Sequence, residues 1–135
     1  IDSGDYKAAY ILLDSIDYRN RRELQKNIKP QYQIALIAEA EIGSYVFFGS
    51  YEQDNDTSNG KEDIEWIVLA KEGNKALVIS KYALDCKQYH PSMSDITWET
   101  CSLREWLNGP FLNTFRVEER NSIIDTTVTA DKNPS

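Results

Sequence analysis

The spacing of hydrophobic residues changes at Gly43, and this change constrains the fold more than any other feature of the sequence. Before residue 41, hydrophobic side chains recur every three or four positions, which is the period of a helix with one buried face. After Gly43, the stretch SYVFFGSY has the β-branched and aromatic content of a strand. The sequence therefore predicts an α+β protein, with a helical segment at residues 1–41 and an α+β domain at residues 43–135.

The hydrophobic pattern of residues 1–41 predicts a repeat-like helical hairpin. Asp5 is placed to cap its start. Further along, one hydrophobic stripe has a spacing of four residues and consists of Leu24, Ile28, Tyr32 and Leu36. Pro30 interrupts the hydrogen bonding of a helix, so either one helix is kinked there or a new helix begins there. We favour a continuous, kinked helix because the stripe stays in register across the proline.

The sequence after Gly43 predicts a domain with a small, mostly antiparallel sheet followed by short helices. Its strands are SYVFFGSY, IEWIVLA and KALVIS, with a hairpin turn at Gly73-Asn74. The Ser-x-x-Glu pattern at Ser102 to Glu105 predicts a capping box that opens a short helix, and Asn108-Gly109-Pro110 predicts its end. A second short helix is expected over residues 117–123, and TTVTA at residues 126–130 predicts another strand.

Composition excludes some classes of partner. The net charge is −7, from 22 acidic and 15 basic residues, and no basic face stands out, so we expect no nucleic-acid partner. No apolar run approaches the roughly 20 residues that a membrane helix requires, so we expect no membrane insertion by these residues. The two cysteines, Cys86 and Cys101, form one disulfide or remain small buried thiols.

The loop DNDTSNGKEDIE suggests a metal site. Asp54, Asp56 and Ser58 alternate, and Glu65 is the twelfth residue counted from Asp54, as in a calcium-binding loop. However, the glycine falls at position seven of this loop rather than six, and no helix is expected on either side. The alternative is a solvated hairpin loop that is rich in turn-forming residues.

The stretch WETCSLREWLNGPFLNTF, Trp98 to Phe115, is dense in aromatic residues and allows two interpretations. In the first, the helix beginning near Ser102 packs its apolar residues inward and the aromatic rings fill a core. In the second, Trp98 and Arg104 lie on a rim, where an aromatic face and a guanidinium bind a sugar or a carboxylate. Trp98 precedes the helix and has no periodic partner, so it is the better candidate for a surface contact.

Catalytic motifs are weak in this sequence. His90 is the only histidine, and no nucleophile or base pattern surrounds it. No glycine-rich phosphate loop is present, and no cofactor is predicted.

Several phrases together resemble a bacterial domain family of unknown function: FFGSYEQDNDTSNGKEDIEWIVLA, KALVISKYALDC, WETCSLREWLNGPFLNTF and TTVTADKNP. The resemblance covers about residues 43–134, and members often carry helical repeats ahead of the domain; here GDYKAAYILLDSIDYRNRRE resembles about one tetratricopeptide-like unit. Longer members continue into a second half that is similar to the C-type-lectin-like and formylglycine-generating-enzyme fold. That half is not present in this sequence, so the resemblance implies a partial lectin-like domain.

These features favour a non-catalytic binding module of a bacterial surface or signalling protein, with an unknown protein or carbohydrate as its partner. An extracellular or cell-surface location is favoured over a cytoplasmic one. Two alternatives stay open: part of an enzyme whose catalytic half lies beyond residue 135, or a purely structural spacer.

Overall fold

The structure, a computed structural model, describes residues 3–15 and 21–127. In these ranges the chain forms a pair of packed helices, then a three-stranded antiparallel sheet, then short helices. The predicted α+β class is confirmed.

The two N-terminal helices are α1 (Ser3–Ser15) and α2 (Arg21–Glu39). Tyr10 and Tyr32 join them by stacking, with ring centroids 4.3 Å apart and ring planes 2° apart. As predicted, α2 runs through Pro30 without interruption. The Pro30 side chain is fully buried, and this packing offsets the hydrogen bond that proline removes from the helix.

The three strands are β1 (Tyr45–Tyr51), β2 (Glu62–Glu72) and β3 (Lys75–Ser80), arranged in the order β1-β2-β3. Both pairings are antiparallel, as the sequence predicts. A two-residue turn joins β2 to β3, and Gly73 in this turn has a φ of 57°. Glycine adopts such a positive φ without the steric penalty of a Cβ atom.

Strand β1 contains an irregularity between Phe47 and Ser50. Gly49 lies in it with a φ of 70°, and a Cβ atom on Gly49 would lie 2.3 Å from Cε1 of Phe115. The backbone conformation and the close approach of the Phe115 ring therefore both require glycine at this position.

The hydrophobic core is built around Phe48, Ile64 and Phe115. Partly buried residues from several elements pack against these three: Ile34, Ile37, Tyr51, Trp66, Leu84 and Phe111. Because Ile34 and Ile37 belong to α2, the second helix supplies part of the core of the sheet.

Polar side chains also bind α2 to the sheet. Lys71 on β2 donates hydrogen bonds to the carbonyl oxygens of Ala38, at 2.6 Å, and Ala40, at 2.9 Å. These contacts satisfy carbonyl groups at the C-terminal end of α2 and place a positive charge where the helix dipole favours it. Lys29 of α2 contacts both carboxylate oxygens of Asp63 on β2 at 2.6 Å.

The first short helix differs from its prediction at both ends. Helix α3 covers Ser102–Trp106, so Cys101 is the N-cap residue and no side chain caps the helix. The predicted capping box is therefore wrong. The helical backbone also continues as a π-helical turn over Leu107–Phe111, which includes Pro110, and then as a 3-10 turn. The predicted end at Asn108-Gly109-Pro110 is wrong because the widened turn accommodates a proline that an α-helix excludes.

Helix α4 covers Val117–Arg120, within the predicted range of 117–123. The carboxylate of Glu119, a buried residue, accepts a hydrogen bond from the backbone N–H of Arg116 at 2.8 Å. Residues 126 and 127 of the strand predicted at 126–130 are not in a strand, and the others lie outside the described residues.

Candidate functional site

Trp98 lies on the surface, as the second interpretation of its stretch predicts. Its side chain is 47% exposed, and its ring centroid lies 6.4 Å from that of Tyr89, with the planes tilted by 30°. Tyr89 is itself 44% exposed. Two aromatic rings therefore face solvent side by side.

Arg104 is exposed and is joined to the same segment. Its guanidinium donates a hydrogen bond at 3.3 Å to the carbonyl oxygen of Glu99, the residue that follows Trp98. Within residues 3–15 and 21–127, no carboxylate forms a salt bridge with Arg104. We call Tyr89, Trp98 and Arg104 the Trp98 surface. The structure places the rings of Trp98 and Tyr89 side by side, and it joins Arg104 to the residue that follows Trp98. Tyr89 was not among the predicted site residues, and its aromatic ring beside His90 was the only signal for it in the sequence.

The segment before α3 is fixed to the start of that helix by hydrogen bonds. The carbonyl oxygen of Tyr89 accepts the N–H of Leu103 at 3.1 Å, and Nδ1 of His90 lies 3.1 Å from the hydroxyl of Ser102. The thiol of Cys101 donates to the carbonyl oxygen of Trp98 at 3.4 Å. These bonds satisfy donors at the helix start and hold the Trp98 surface in place.

The two cysteines are free thiols. Of the two alternatives that the sequence left open, the structure has the free thiols: Cys101, 1% exposed, is a small buried thiol as predicted, whereas Cys86 is exposed and the prediction of burial is wrong for it. Burial, followed by a hydrogen bond with Cys101, raises the pKa of the Tyr89 hydroxyl above its ordinary value.

Other aromatic residues of the same stretch do fill the interior. The Phe115 side chain is 5% exposed, and Phe111 packs against it edge to face at 5.5 Å. Trp106 is half-buried against Phe111, at 5.2 Å between ring centroids. The stretch therefore combines a packed part, after Ser102, with an exposed part at Trp98.

The four residues of the calcium-loop prediction are divided between two places. Asp54, Asp56 and Ser58 lie in the β1–β2 loop, where Asp54 accepts the N–H of Asp56 at 2.8 Å and Asp56 accepts the hydroxyl of Ser58 at 2.5 Å. Glu65 lies on β2 and binds Lys81 at 2.7 Å. Within the described part of the chain, these contacts give the four residues partners other than a metal ion.

The structure instead places Asp54 near two other acidic residues, Glu52 and Glu62. Each of the three offers a carboxylate oxygen within 4.8 Å of the others, so these are the residues that could hold a cation. Glu62 already accepts the N–H of Gln53 at 2.7 Å. Burial, then a hydrogen bond with Asp54, raises the pKa of Glu52, while the N–H of Asp56, then Asn59, lowers the pKa of Asp54. Calcium binding by this loop stays a prediction.

A polar cavity of about 350 Å³ lies beside this loop. The Tyr51 hydroxyl, on its wall, donates to Oδ2 of Asp85 at 2.6 Å. This hydrogen bond, with burial and the charge of Asp85, raises the pKa of Tyr51 to about 12. The same bond lowers the pKa of Asp85. No local sequence pattern predicts this pair, because Tyr51 ends β1 and Asp85 lies 34 residues later, in the irregular segment after β3.

Comparison with known proteins identifies the part of the chain that carries the Trp98 surface. Residues 73–135 match the family model described as Domain of unknown function (DUF6273). The resemblance to a domain of unknown function predicted for residues 43–134 is thus confirmed over its second part, and the matched residues include β3, the short helices and all three residues of the Trp98 surface. No curated protein and no solved structure was found to match the chain.

Among the described residues, none of the helices combines the length and the apolar character that crossing a bilayer requires.

Proposed function

We propose that this protein is a non-catalytic binding module that recognises a protein partner through the Trp98 surface. The observation that supports the proposal is the exposure of the Trp98 ring, 47%, beside the equally accessible ring of Tyr89. Large aromatic rings that a small domain leaves exposed lose contact with water when a partner covers them, and this contributes favourable free energy of binding.

The chemistry of the surface favours a protein over other partners. Trp, Tyr and Arg are the residue types most enriched among those that dominate the free energy of protein–protein binding. The Arg104 guanidinium has no salt-bridge partner among the described residues, so it can bind a carboxylate of the partner in a bidentate geometry. We therefore infer a partner segment that carries an acidic residue next to an apolar or aromatic one.

The proposal includes a wider setting for the domain. We propose that residues 43–135 form the first part of a C-type-lectin-like domain behind a tetratricopeptide-like helix pair, in a bacterial surface or signalling protein. The observed order of elements supports it, because a helix pair precedes a small antiparallel sheet. The structure of a longer family member tests this part: strands of its second half should extend the sheet formed by β1 to β3.

Selection of binding peptides tests the proposed partner. A random peptide library displayed on phage is panned against the immobilised 135-residue chain, and the enriched peptides are titrated by fluorescence anisotropy. We expect enriched peptides to share an acidic residue beside an aromatic or aliphatic one. Replacing Trp98 by Ala should weaken their binding about tenfold or more, since truncating a dominant interface residue costs about 2 kcal/mol or more.

Two controls make this test specific. Tyr45→Ala removes an exposed ring from β1, 56% exposed, and should leave peptide binding unchanged. Arg104→Gln should weaken the acidic peptides and reduce the salt dependence of their binding. A glycan array is probed in parallel. Binding to glycans that Trp98→Ala abolishes, with no peptide enriched, would show that the partner is a carbohydrate and contradict the proposal.

A further inference from the structure

A second cavity lies between the helix pair and the sheet, and it is independent of the Trp98 surface. Its volume is about 220 Å³. Its lining includes the following residues from α1, α2, β1 and β2: Tyr10, Lys29, Tyr32, Gln33, Phe47 and Asp63. We call it the helix–sheet cavity. Cavities for drug-sized ligands measure roughly 300–1,000 Å³, so this one fits a smaller molecule.

Gln33, one of the residues that line this cavity, has an unused hydrogen-bonding group. Its side chain is 3% exposed, and its Oε1 is buried without a hydrogen-bond partner among the described residues. A buried polar group that lacks a partner destabilises the folded state. A ligand that donates an O–H or N–H to this amide therefore gains a hydrogen bond without breaking one within the protein.

The charged side chains of the cavity balance each other. Lys29 and Asp63 form an ion pair in which Nζ lies 2.6 Å from both carboxylate oxygens, and each side chain is 36% exposed. The pair has no net charge, which disfavours an anionic or a cationic ligand over a neutral one. It still offers a donor and an acceptor side by side, which is the arrangement that two adjacent hydroxyl groups need.

Aromatic rings supply the apolar part of the lining. Tyr10 and Tyr32 stack on each other, and Phe47 is 49% exposed although it lies on β1 beside the buried Phe48. Aromatic surface of this kind packs well against the C–H groups of a saturated ring. The lining therefore combines apolar contacts, a buried acceptor and a neutral pair of polar groups.

We propose that the helix–sheet cavity binds a small neutral ring with several hydroxyl groups, of the size of a monosaccharide. One hydroxyl donates to the amide oxygen of Gln33, and neighbouring hydroxyls bind Lys29 and Asp63. The ring contacts the aromatic side chains. Because the lining comes from α1, α2, β1 and β2, such a ligand stabilises the contact between the helix pair and the sheet.

Saturation-transfer NMR with neutral monosaccharides tests this inference. The probes are D-glucose, D-galactose, D-mannose and N-acetyl-D-glucosamine, each at millimolar concentration with the 135-residue chain. We expect at least one sugar to show saturation transfer. Gln33→Leu, which keeps the side-chain volume and removes the amide, should raise its Kd about tenfold or more, because a hydrogen bond at a buried site is lost.

Thermal unfolding separates a binding role of Gln33 from a structural one. Without sugar, Gln33→Leu should keep or raise the Tm, because it removes a buried acceptor that has no partner. Phe47→Ala is a second variant that should fold, since this ring is half exposed, and it should also weaken sugar binding. Tyr45→Ala is its matched control, two residues away on the same strand and outside the cavity lining.

Each outcome decides the matter. Sugar binding that Gln33→Leu and Phe47→Ala weaken, and that Tyr45→Ala and Trp98→Ala leave unchanged, supports the inference. Three binding results overturn it: no saturation transfer from any of the sugars, transfer that both cavity variants leave intact, or binding of a zwitterionic amino acid such as serine in place of the sugars. A Tm of Gln33→Leu below that of wild type, measured without sugar, would also overturn the inference, because it would show that the amide is structural. None of these results bears on peptide binding at Trp98.

Discussion

Trp66 donates a hydrogen bond from its indole Nε1 to the backbone carbonyl oxygen of Phe48, at 2.7 Å. The two residues lie on adjacent strands, and Phe48 lies in the irregular part of β1, where the pairing with β2 shifts register. A side chain of β2 therefore satisfies a carbonyl of β1 at the point where the regular ladder is interrupted.

Removing this bond while keeping an aromatic ring should weaken the sheet. We expect Trp66→Phe to lower the free energy of unfolding by about 1–2 kcal/mol, because the Phe48 carbonyl loses its donor. Urea denaturation followed by circular dichroism measures the change. The control is Trp98→Phe, on the surface, which should stay within about 0.5 kcal/mol of wild type. Equal losses in the two variants would contradict the role assigned to the Trp66 bond.

Gly49 and Gly60 form a matched pair for testing the packing of Phe115. Both have positive φ, 70° and 91°, but only Gly49 has atoms close to the position of an added Cβ. Gly60→Ala should cost about 1–2 kcal/mol from backbone strain alone. Gly49→Ala should cost about 1–3 kcal/mol more, because the Phe115 ring must move out of a packed core. Similar unfolding free energies for the two variants would show that the core adapts without cost.

Trp106 and Trp98 should differ in their contribution to stability. Trp106 is half-buried against Phe111, and the ammonium of Lys87 lies 5.1 Å from its ring centroid. We expect Trp106→Ala to cost about 2–3 kcal/mol, somewhat less than a fully buried tryptophan, and to lower the Tm by several degrees. Trp98→Ala should leave the Tm nearly unchanged. Comparable losses of Tm, measured by calorimetry, would mean that Trp98 also belongs to the packed interior.

The hydrogen bond from Tyr51 to Asp85 should make stability depend on pH at the alkaline end. Because the folded protein raises the pKa of Tyr51 from 10.0 to about 12, its contribution is complete below pH 10 and is lost as the pH rises towards 12. The difference in unfolding free energy between wild type and Tyr51→Phe should therefore shrink over this range. Denaturation curves at several pH values measure it, with Tyr82→Phe as an exposed control. A difference that stays constant from pH 9 to 12 would show that this hydrogen bond does not influence the proton on Tyr51.

The two cysteines should be dispensable for folding. Both are free thiols, and only Cys101 is buried, so replacing both with Ala should cost no more than about 1–2 kcal/mol from lost packing at Cys101. Heat denaturation of the double variant, with and without a reducing agent, checks this. An unfolded variant would show that the packing of the Cys101 thiol matters far more than its size suggests.

The sequence predicts the elements whose signals are local. The three strands follow from their own residues and turns, and the continuity of α2 through Pro30 follows from a stripe that stays in register. The sequence places the start of α3 near Ser102, as observed, but the predicted capping box is wrong because the N–H groups at this start bind Tyr89 and His90, earlier in the chain, rather than a side chain of the helix itself. No local pattern identifies partners of that kind.

The same reason limits what the sequence indicates about sites. Exposure of Trp98 was predictable, because the residue lies outside any periodic pattern. The grouping of Glu52 with Asp54 and Glu62 depends on how the β1–β2 loop folds back, which the spacing of its acidic residues does not determine. The helix–sheet cavity requires α2 to lie beside β1, and that placement depends on long-range packing.

The attachment of α2 to the rest of the chain has a mechanical consequence. Its links are distributed along its length: the Arg116 side chain donates to the carbonyl oxygen of Lys26, Lys29 binds Asp63, and Lys71 holds the last carbonyl groups. Tension on α2 is therefore shared between the sheet and the start of α4 and is not concentrated at the residue where the helix meets β1. Under load, the helix and the sheet should resist extension as one body and yield in a single step.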